Sequence, residues 1–144
     1  MRVVLDTDVV VAALRSPTGA SAELLRLARR GRIGLAASVS LFIEYESVCT
    51  RQTHLDAAGL STGDIAIFLD ALASFVEPVP IHYLWRPQLH DPADELVLEA
   101  AVNAGADALL SFNLRHFRNA ADRFGLRVTQ PGSLLREFLQ GTLP

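Results

Sequence analysis

The chain contains no lysine: all 13 of its basic residues are arginines. Any reaction that depends on a lysine ammonium is therefore excluded. Cysteine is almost as scarce. The single Cys49 rules out an internal disulfide, and no Cys/His cluster of the kind that binds zinc is present. A reducing cytoplasm is the expected compartment. Long apolar runs are missing too. The longest, Val9 to Leu14, falls far short of the roughly 20 residues of a membrane span, so no membrane partner is expected. Only Val3 to Leu5 precede Asp6 as an apolar run, too few for the core of a signal peptide. No internal repeat, linker or low-complexity stretch is seen. With a net charge of −3 and a pI near 5.7, the chain also lacks the basic total of most nucleic-acid binders.

What is present is a globular composition. The 144 residues are 50% hydrophobic and 20% charged, which suits a single domain over 1–144 with one core. Arg2-Val3-Val4-Leu5-Asp6-Thr7-Asp8 sets an apolar, mostly β-branched run directly before two acids. Such a run reads as a buried parallel strand, and a carboxylate just after it lies where open α/β sheets bind ligands.

The rest of the chain alternates in the same way. A helix is expected over Asp8–Leu14, capped by Asp6, Thr7 or Asp8, then a loop over 15–19. Ala20–Arg30 forms a second helix that Gly31 ends, Ile33–Ala37 a strand, and Ser38 or Ser40 opens a helix to about Arg51. Residues 52–60 read as a connection with at most a helical turn. Ser61 and Asp64 resemble a capping pair for a helix that buries Ile65, Phe68, Leu69 and Leu72. Phe75–Val79 fits an edge strand that tolerates Pro78, and 80–90, with Pro80, Trp85 and Pro87, a loop or short strand. Asp91-Pro92-Ala93-Asp94 is a strong helix start, running to Ala104 with Gly105 as its stop. Ala108–Ser111 is a strand, Asn113–Asn119 a polar loop or helical turn, Leu126–Thr129 a strand and Pro131–Leu139 a helix. Strands alternating with helices predict an α/β fold, a three-layer α/β/α sandwich around a mostly parallel sheet.

Polar side chains recur where these strands end and helices begin: Asp6 after the first strand, Glu44 early in the helix after the second, Asp91 and Asp94 at one helix start, Asn113 after the fourth strand. Each also has an ordinary use. Asp6, Asp8 and Asp91 fit as helix caps, Glu44 and Glu46 as a solvated helix face, and Asn113 as a loop residue. If the acids converge, their repulsion calls for a cation, and hard oxygen donors select Mg²⁺ or Mn²⁺.

The order of these motifs resembles the PIN-domain ribonucleases. Val3-Val4-Leu5-Asp6-Thr7-Asp8-Val9-Val10 is similar to that family's opening strand and Asp-Thr-Asn. Ser40-Leu41-Phe42-Ile43-Glu44-Tyr45-Glu46 resembles its second motif, with Glu44 as the acid. Asp91-Pro92-Ala93-Asp94-Glu95-Leu96 resembles the third, with Asp94 as the metal-binding acid. Gly105 to Phe117, through Ser111 and Asn113, resembles the segment that completes the site. The resemblance spans nearly the whole chain and is nearest to the VapC-like toxins of bacterial toxin–antitoxin pairs. It implies an endoribonuclease dependent on Mg²⁺ (or Mn²⁺) that leaves a 5′-phosphate and a 3′-hydroxyl. Asp6, Glu44 and Asp94 would be the metal ligands, with Asn113 completing the catalytic set. Asp8, Asp91 and Ser111 would support them, while Arg15, Arg115, His116 and Arg118 would hold RNA phosphates. A small antitoxin and a second copy of the chain are the implied protein partners, with an exposed apolar patch near the second helix and the 61–74 helix as contact surface. Two departures stand out. Asp8 replaces the family's usual Asn, and Asn113 replaces a frequent fourth Asp.

Two rival readings follow from the same residues. The opening Asp-x-Asp also resembles haloacid-dehalogenase-like phosphatases, but those need a lysine. A non-catalytic PIN-like module that binds RNA or a partner is compatible with Asn113 and the acidic total charge.

Overall fold

The computed structural model describes residues 1–84, 86 and 88–143. Five strands form one sheet: β1 (Arg2–Leu5), β2 (Gly34–Ala37), β3 (Val76–Pro78), β4 (Ala108–Leu110) and β5 (Val128–Thr129). Their order is β3-β2-β1-β4-β5, and every pairing is parallel. Eight helices flank the sheet: α1 (Thr7–Arg15), α2 (Ala20–Arg29), α3 (Val39–Cys49), α4 (Gln52–Ala58), α5 (Thr62–Phe75), α6 (Pro92–Ala104), α7 (Leu114–Phe124) and α8 (Pro131–Leu139). The expected three-layer α/β/α arrangement is observed, with a sheet that is wholly parallel.

The chain builds outward from β1 to β2 and β3, then returns through α6 to place β4 on the other side of β1. The direction of winding therefore reverses between β1 and β4, and the crevice at such a reversal is where parallel α/β sheets bind ligands. Val3, Val4, Leu109 and Leu110 are fully buried, which explains why these strands read as unbroken apolar runs. Small residues let α6 lie close across β1, β2 and β4: Ala100 and Ala101 are wholly inaccessible to solvent.

Local signals set most helix ends. Asp6 caps α1, Ser38 caps α3 through a 3.1 Å bond from the Leu41 N–H, and Ser61 with Asp64 forms a reciprocal capping box on α5. Gly105 stops α6 in the left-handed conformation, at φ 59°, where a side chain would be strained. Pro78 ends the edge strand β3, as expected.

Two segments differ from expectation. Residues 52–58 form a seven-residue helix where a connection was expected; Leu55 is buried beneath it and Gly59 ends it at φ 68°. Residues 114–124 form a full helix where a loop or single turn was expected. Phe117, Ala120 and Ala121 are its buried face, a helical spacing that the surrounding arginines obscured. Residues 80–84 have no regular structure, and Trp85 and Pro87 lie outside the described residues.

Tyr45 ties the second motif to the first. Its ring is fully buried on α3, and its hydroxyl donates a 2.5 Å hydrogen bond to the Leu5 carbonyl, the last of β1. Burial raises its pKa well above the ordinary value, so the hydroxyl keeps its proton. Tyr45→Phe is expected to destabilise the fold by about 1–2 kcal/mol, read as a lower urea midpoint with an unchanged slope; an unchanged midpoint would show that this bond does not anchor α3.

Candidate active site

The site begins where β1 and β4 end side by side. The Asp6 N–H donates to the Leu110 carbonyl at 2.8 Å, continuing the ladder by one residue. Its side chain then turns across the start of α1. Asp6 Oδ1 accepts from the Thr7 N–H at 2.8 Å, and Oδ2 accepts from the Ser111 hydroxyl at 2.6 Å. Ser111 is wholly buried and its Oγ also accepts the Asn113 N–H at 2.9 Å. Asp6 is thus both cap and site residue, the two uses the sequence left open. Burial raises its pKa above the ordinary value, with the Ser111 bond opposing.

Asp8 lies in the first turn of α1. Its Oδ2 accepts from the Phe112 N–H at 3.1 Å and from Asn113 Nδ2 at 3.0 Å. Its Oδ1 is buried with no hydrogen-bond partner among the described residues. Burial, and then the neighbouring Asp6 charge, push its pKa up to about 6. A carboxylate can only accept, so Asn113 must face it with its NH₂. Asn113 therefore orients Asp8, and its amide nitrogen is engaged there.

Helix α6 supplies the opposite wall. Asp91 caps it, accepting the Ala93 N–H at 2.9 Å, and Asp94 follows in the first turn, 7% exposed. Burial raises the Asp94 pKa, with Asp6 and Asp91 adding to the rise and His116 opposing it. The His116 Nδ1–H donates to Asp94 Oδ2 at 3.1 Å. One cleft of about 310 Å³ is lined by Asp6, Thr7, Asp8, Glu44, His54, Asp91, Asp94, Asn113 and His116, among others. The predicted acids Asp6, Asp8, Glu44, Asp91 and Asp94 thus face one space, from the start of α1, from α3 and from the start of α6.

These residues fit a hard divalent cation by their chemistry. They offer carboxylate oxygens and no thiolate, and burial works against their ionised form. Asp8 Oδ1 is a buried acceptor without a donor, which an unpaired carboxylate oxygen does not tolerate cheaply. Among the described residues no three acidic or histidine side chains are gathered into a ready cage.

Among the residues expected to hold RNA, His116 lines this cleft. Arg115 lines an adjoining one of about 530 Å³, together with His90, Asp91, Asp94, His116, Asn119 and Arg123. Arg15 lines neither: it ends α1, about 12 Å along the helix from its first residue. Arg118 is exposed on α7 and also lines neither. The position of a loop arginine cannot be read until the loop proves to be a helix. His54, which no spacing in the sequence singles out, reaches the cleft on α4 with its Nδ1 buried and without a partner among the described residues. Thr7 Oγ1, Asp8 Oδ1 and His54 Nδ1 are the buried side-chain atoms without partners among the described residues, and all three belong to residues lining this one cleft.

Comparison with known proteins agrees with this architecture. A family model described as PIN domain matches residues 2–115. No curated protein matches the sequence. Among solved structures, the chain is similar to one described as VapBC2 from Rickettsia felis bound to a DNA fragment from its promoter. The TM-score is 0.59 at 17% identity, over 89% of this chain and 97% of that one. At that identity the likeness is one of fold.

The Asp8–Asn113 bond can be tested by exchange. Asn113→Asp sets two carboxylates face to face and should cost about 1–2 kcal/mol of stability in EDTA, as expected for losing a hydrogen bond to a charged group. Asp8→Asn combined with Asn113→Asp exchanges donor and acceptor between the two side chains but turns an NH₂ toward the Phe112 N–H, so it should recover only part of that loss in urea denaturation. Equal stability of Asn113→Asp and wild type would remove Asn113 as the support of Asp8.

Proposed function

The chain belongs to the PIN-domain family, whose members are generally nucleases, and from that premise we propose that it is a Mg²⁺- or Mn²⁺-dependent endoribonuclease and the toxin of a toxin–antitoxin pair. The observation that carries this reading is the group of desolvated carboxylates Asp6, Asp8 and Asp94 in one cleft, with the Asp8 Oδ1 unpaired. Asp6 and Asp94 are the proposed metal ligands, with Glu44 facing them from α3. Asp6 and Asp94, with Glu44, would hold the cation, and the chemistry it would supply is Lewis acidity toward a water and the phosphoryl oxygens. The chain's own residues keep the donors in place: Ser111 fixes Asp6, Asn113 fixes Asp8, and His116 fixes Asp94.

An antitoxin partner is supported by the apolar groove between α2 and α5. The groove encloses about 400 Å³ and is lined by Leu25, Phe68, Leu72 and Phe75, with Ile67 exposed at 70%. Arg26, Arg29 and Asp64 edge it, so it suits an amphipathic helix with a charged flank. Ala13 and Leu14 of α1 reach the groove and Thr7 and Asp8 reach the acidic cleft. A partner anchored in the groove is then about one short helix away from the cleft. The solved structure described as VapBC2 is bound to a DNA fragment from its promoter, and its name agrees with this choice of occupant. A second copy of the chain is proposed for the other apolar face, around Val39 and Ile43, which are 72% and 59% exposed.

Purified protein should cleave RNA with Mg²⁺ or Mn²⁺ and not in EDTA. Asp6→Asn and Asp94→Asn should each lower the rate by at least about 10- to 100-fold, the range for losing even a residue that only supports a metal ligand. Cleavage that survives both substitutions would sink the proposed site. Absence of cleavage together with absence of Mn²⁺ binding by calorimetry would favour the non-catalytic module.

The groove has its own test. Ile67→Asp should leave RNA cleavage intact and abolish inhibition by a small protein encoded beside this one. Full inhibition of the variant would place the antitoxin elsewhere.

A further inference from the structure

The acidic cleft opens into a second one of about 530 Å³ that shares Asp91, Asp94 and His116 with it. Arg115, Asn119 and Arg123 follow at four-residue intervals along α7, so they form one row on that helix. All three are exposed and line the second cleft, whereas Arg118 and Asp122 do not line it. The facing wall is residues 88–90. Buried Glu95 pins it, its Oε1 accepting the Gln88 N–H at 2.6 Å and the Leu89 N–H at 2.8 Å. Arg123 Nη1 donates across the cleft to the Gln88 side-chain oxygen. Among the described residues neither Arg115 nor Arg123 forms an ion pair, so their charge is left for a ligand. The cleft therefore carries both signs of charge: Asp91 and Asp94 on one wall, and on α7 a row that starts with Arg115 beside His116 and ends with Arg123.

We propose that this α7 groove is the track for a single RNA strand leaving the cleavage site, with Arg115 and Arg123 holding successive parts of its phosphate backbone and Asn119 between them. The proposal rests on the nuclease reading and adds the path of the substrate. Arg115 and Arg123 are about 12 Å apart along the helix, too far to share one phosphate. A phosphodiester chain is the ligand whose charge runs along such a row, while its scissile group sits at the acidic, metal-binding end. The acidic total of the protein is no obstacle, because the basic groups that matter are concentrated on one helix face.

Binding separates this proposal from catalysis. A short fluorescein-labelled single-stranded RNA is titrated in EDTA, by anisotropy, over a range of salt. Arg123→Ala should weaken binding several-fold and reduce the slope of log K against log[salt] by about 0.7, the change for one lost phosphate contact on a single strand. Arg115→Ala should do the same, while Arg136→Ala, at an exposed position on α8, leaves both unchanged. With Mn²⁺, Arg123→Ala should raise KM and leave kcat unaltered. Wild-type affinity and slope in both Arg115→Ala and Arg123→Ala would overturn the groove even if the enzyme cleaves RNA, as would wild-type protein that binds an acidic peptide there but no RNA. The predicted losses of affinity and slope in both variants, but no cleavage in any metal, would keep the groove and overturn the nuclease reading.

Discussion

Carboxylates that share one partly buried cleft repel one another, and much of the surrounding structure is arranged to hold them there. Asp6, Asp8 and Asp94 all have raised pKa values, caused first by burial; for Asp8 and Asp94 the next cause is the charge of Asp6. Left to themselves such groups would move apart or take up protons. They stay because each is held by donors fixed in the fold: the Thr7 N–H and Ser111 hydroxyl on Asp6, the Phe112 N–H and Asn113 amide on Asp8, the His116 ring on Asp94. Apart from the Thr7 N–H, which starts α1, the donors sit on α7 and on the turn that leads into it from β4, and the acids sit at the junction of β1 with α1 and in the first turn of α6. The site thus depends on the parallel pairing of β1 with β4, which brings Leu5 opposite Leu110 and sets Asp6 beside Ser111.

The same dependence explains several buried polar contacts that are not in the site. Tyr45 bonds the last carbonyl of β1 and so keeps α3, with Glu44, against the cleft. The other two buried acids of α6 have a different task from Asp94. Glu95 binds two backbone N–H groups of the preceding segment, and Glu99 pairs with Arg86. One helix thereby carries a site acid in its first turn and two acids that hold the polypeptide leading into it.

The acids of the site could be read from the sequence because each follows or opens an element with a strong local signal. Val3-Val4-Leu5 can only be a buried strand, and Asp91-Pro92-Ala93-Asp94 can only start a helix. Their meeting depends on strand order, which follows from the alternation of elements. The misreadings have a common physical origin. Residues 52–58 and 114–124 are rich in polar and charged side chains, and their few apolar contacts, Leu55 and Phe117 with its alanines, do not stand out in a sequence. Tertiary packing, not local propensity, makes them helical. With those helices missed, His54 had no place in the site, and Arg115, Asn119 and Arg123 could not be seen as one row. The bond between Asp8 and Asn113 spans 105 positions and has no local signature; the two residues appear in sequence only as two unrelated departures from a family pattern.

The central claim is that the Asp6–Asp8–Asp94 cleft is a divalent-metal site. Crystals soaked in Mn²⁺ and measured at the manganese absorption edge test it without recourse to activity. The account predicts an anomalous peak between Asp6 and Asp94 at the mouth of β1, lost in crystals of Asp6→Asn. A cleft without a peak at millimolar Mn²⁺, or a peak bound only elsewhere on the surface, would contradict it.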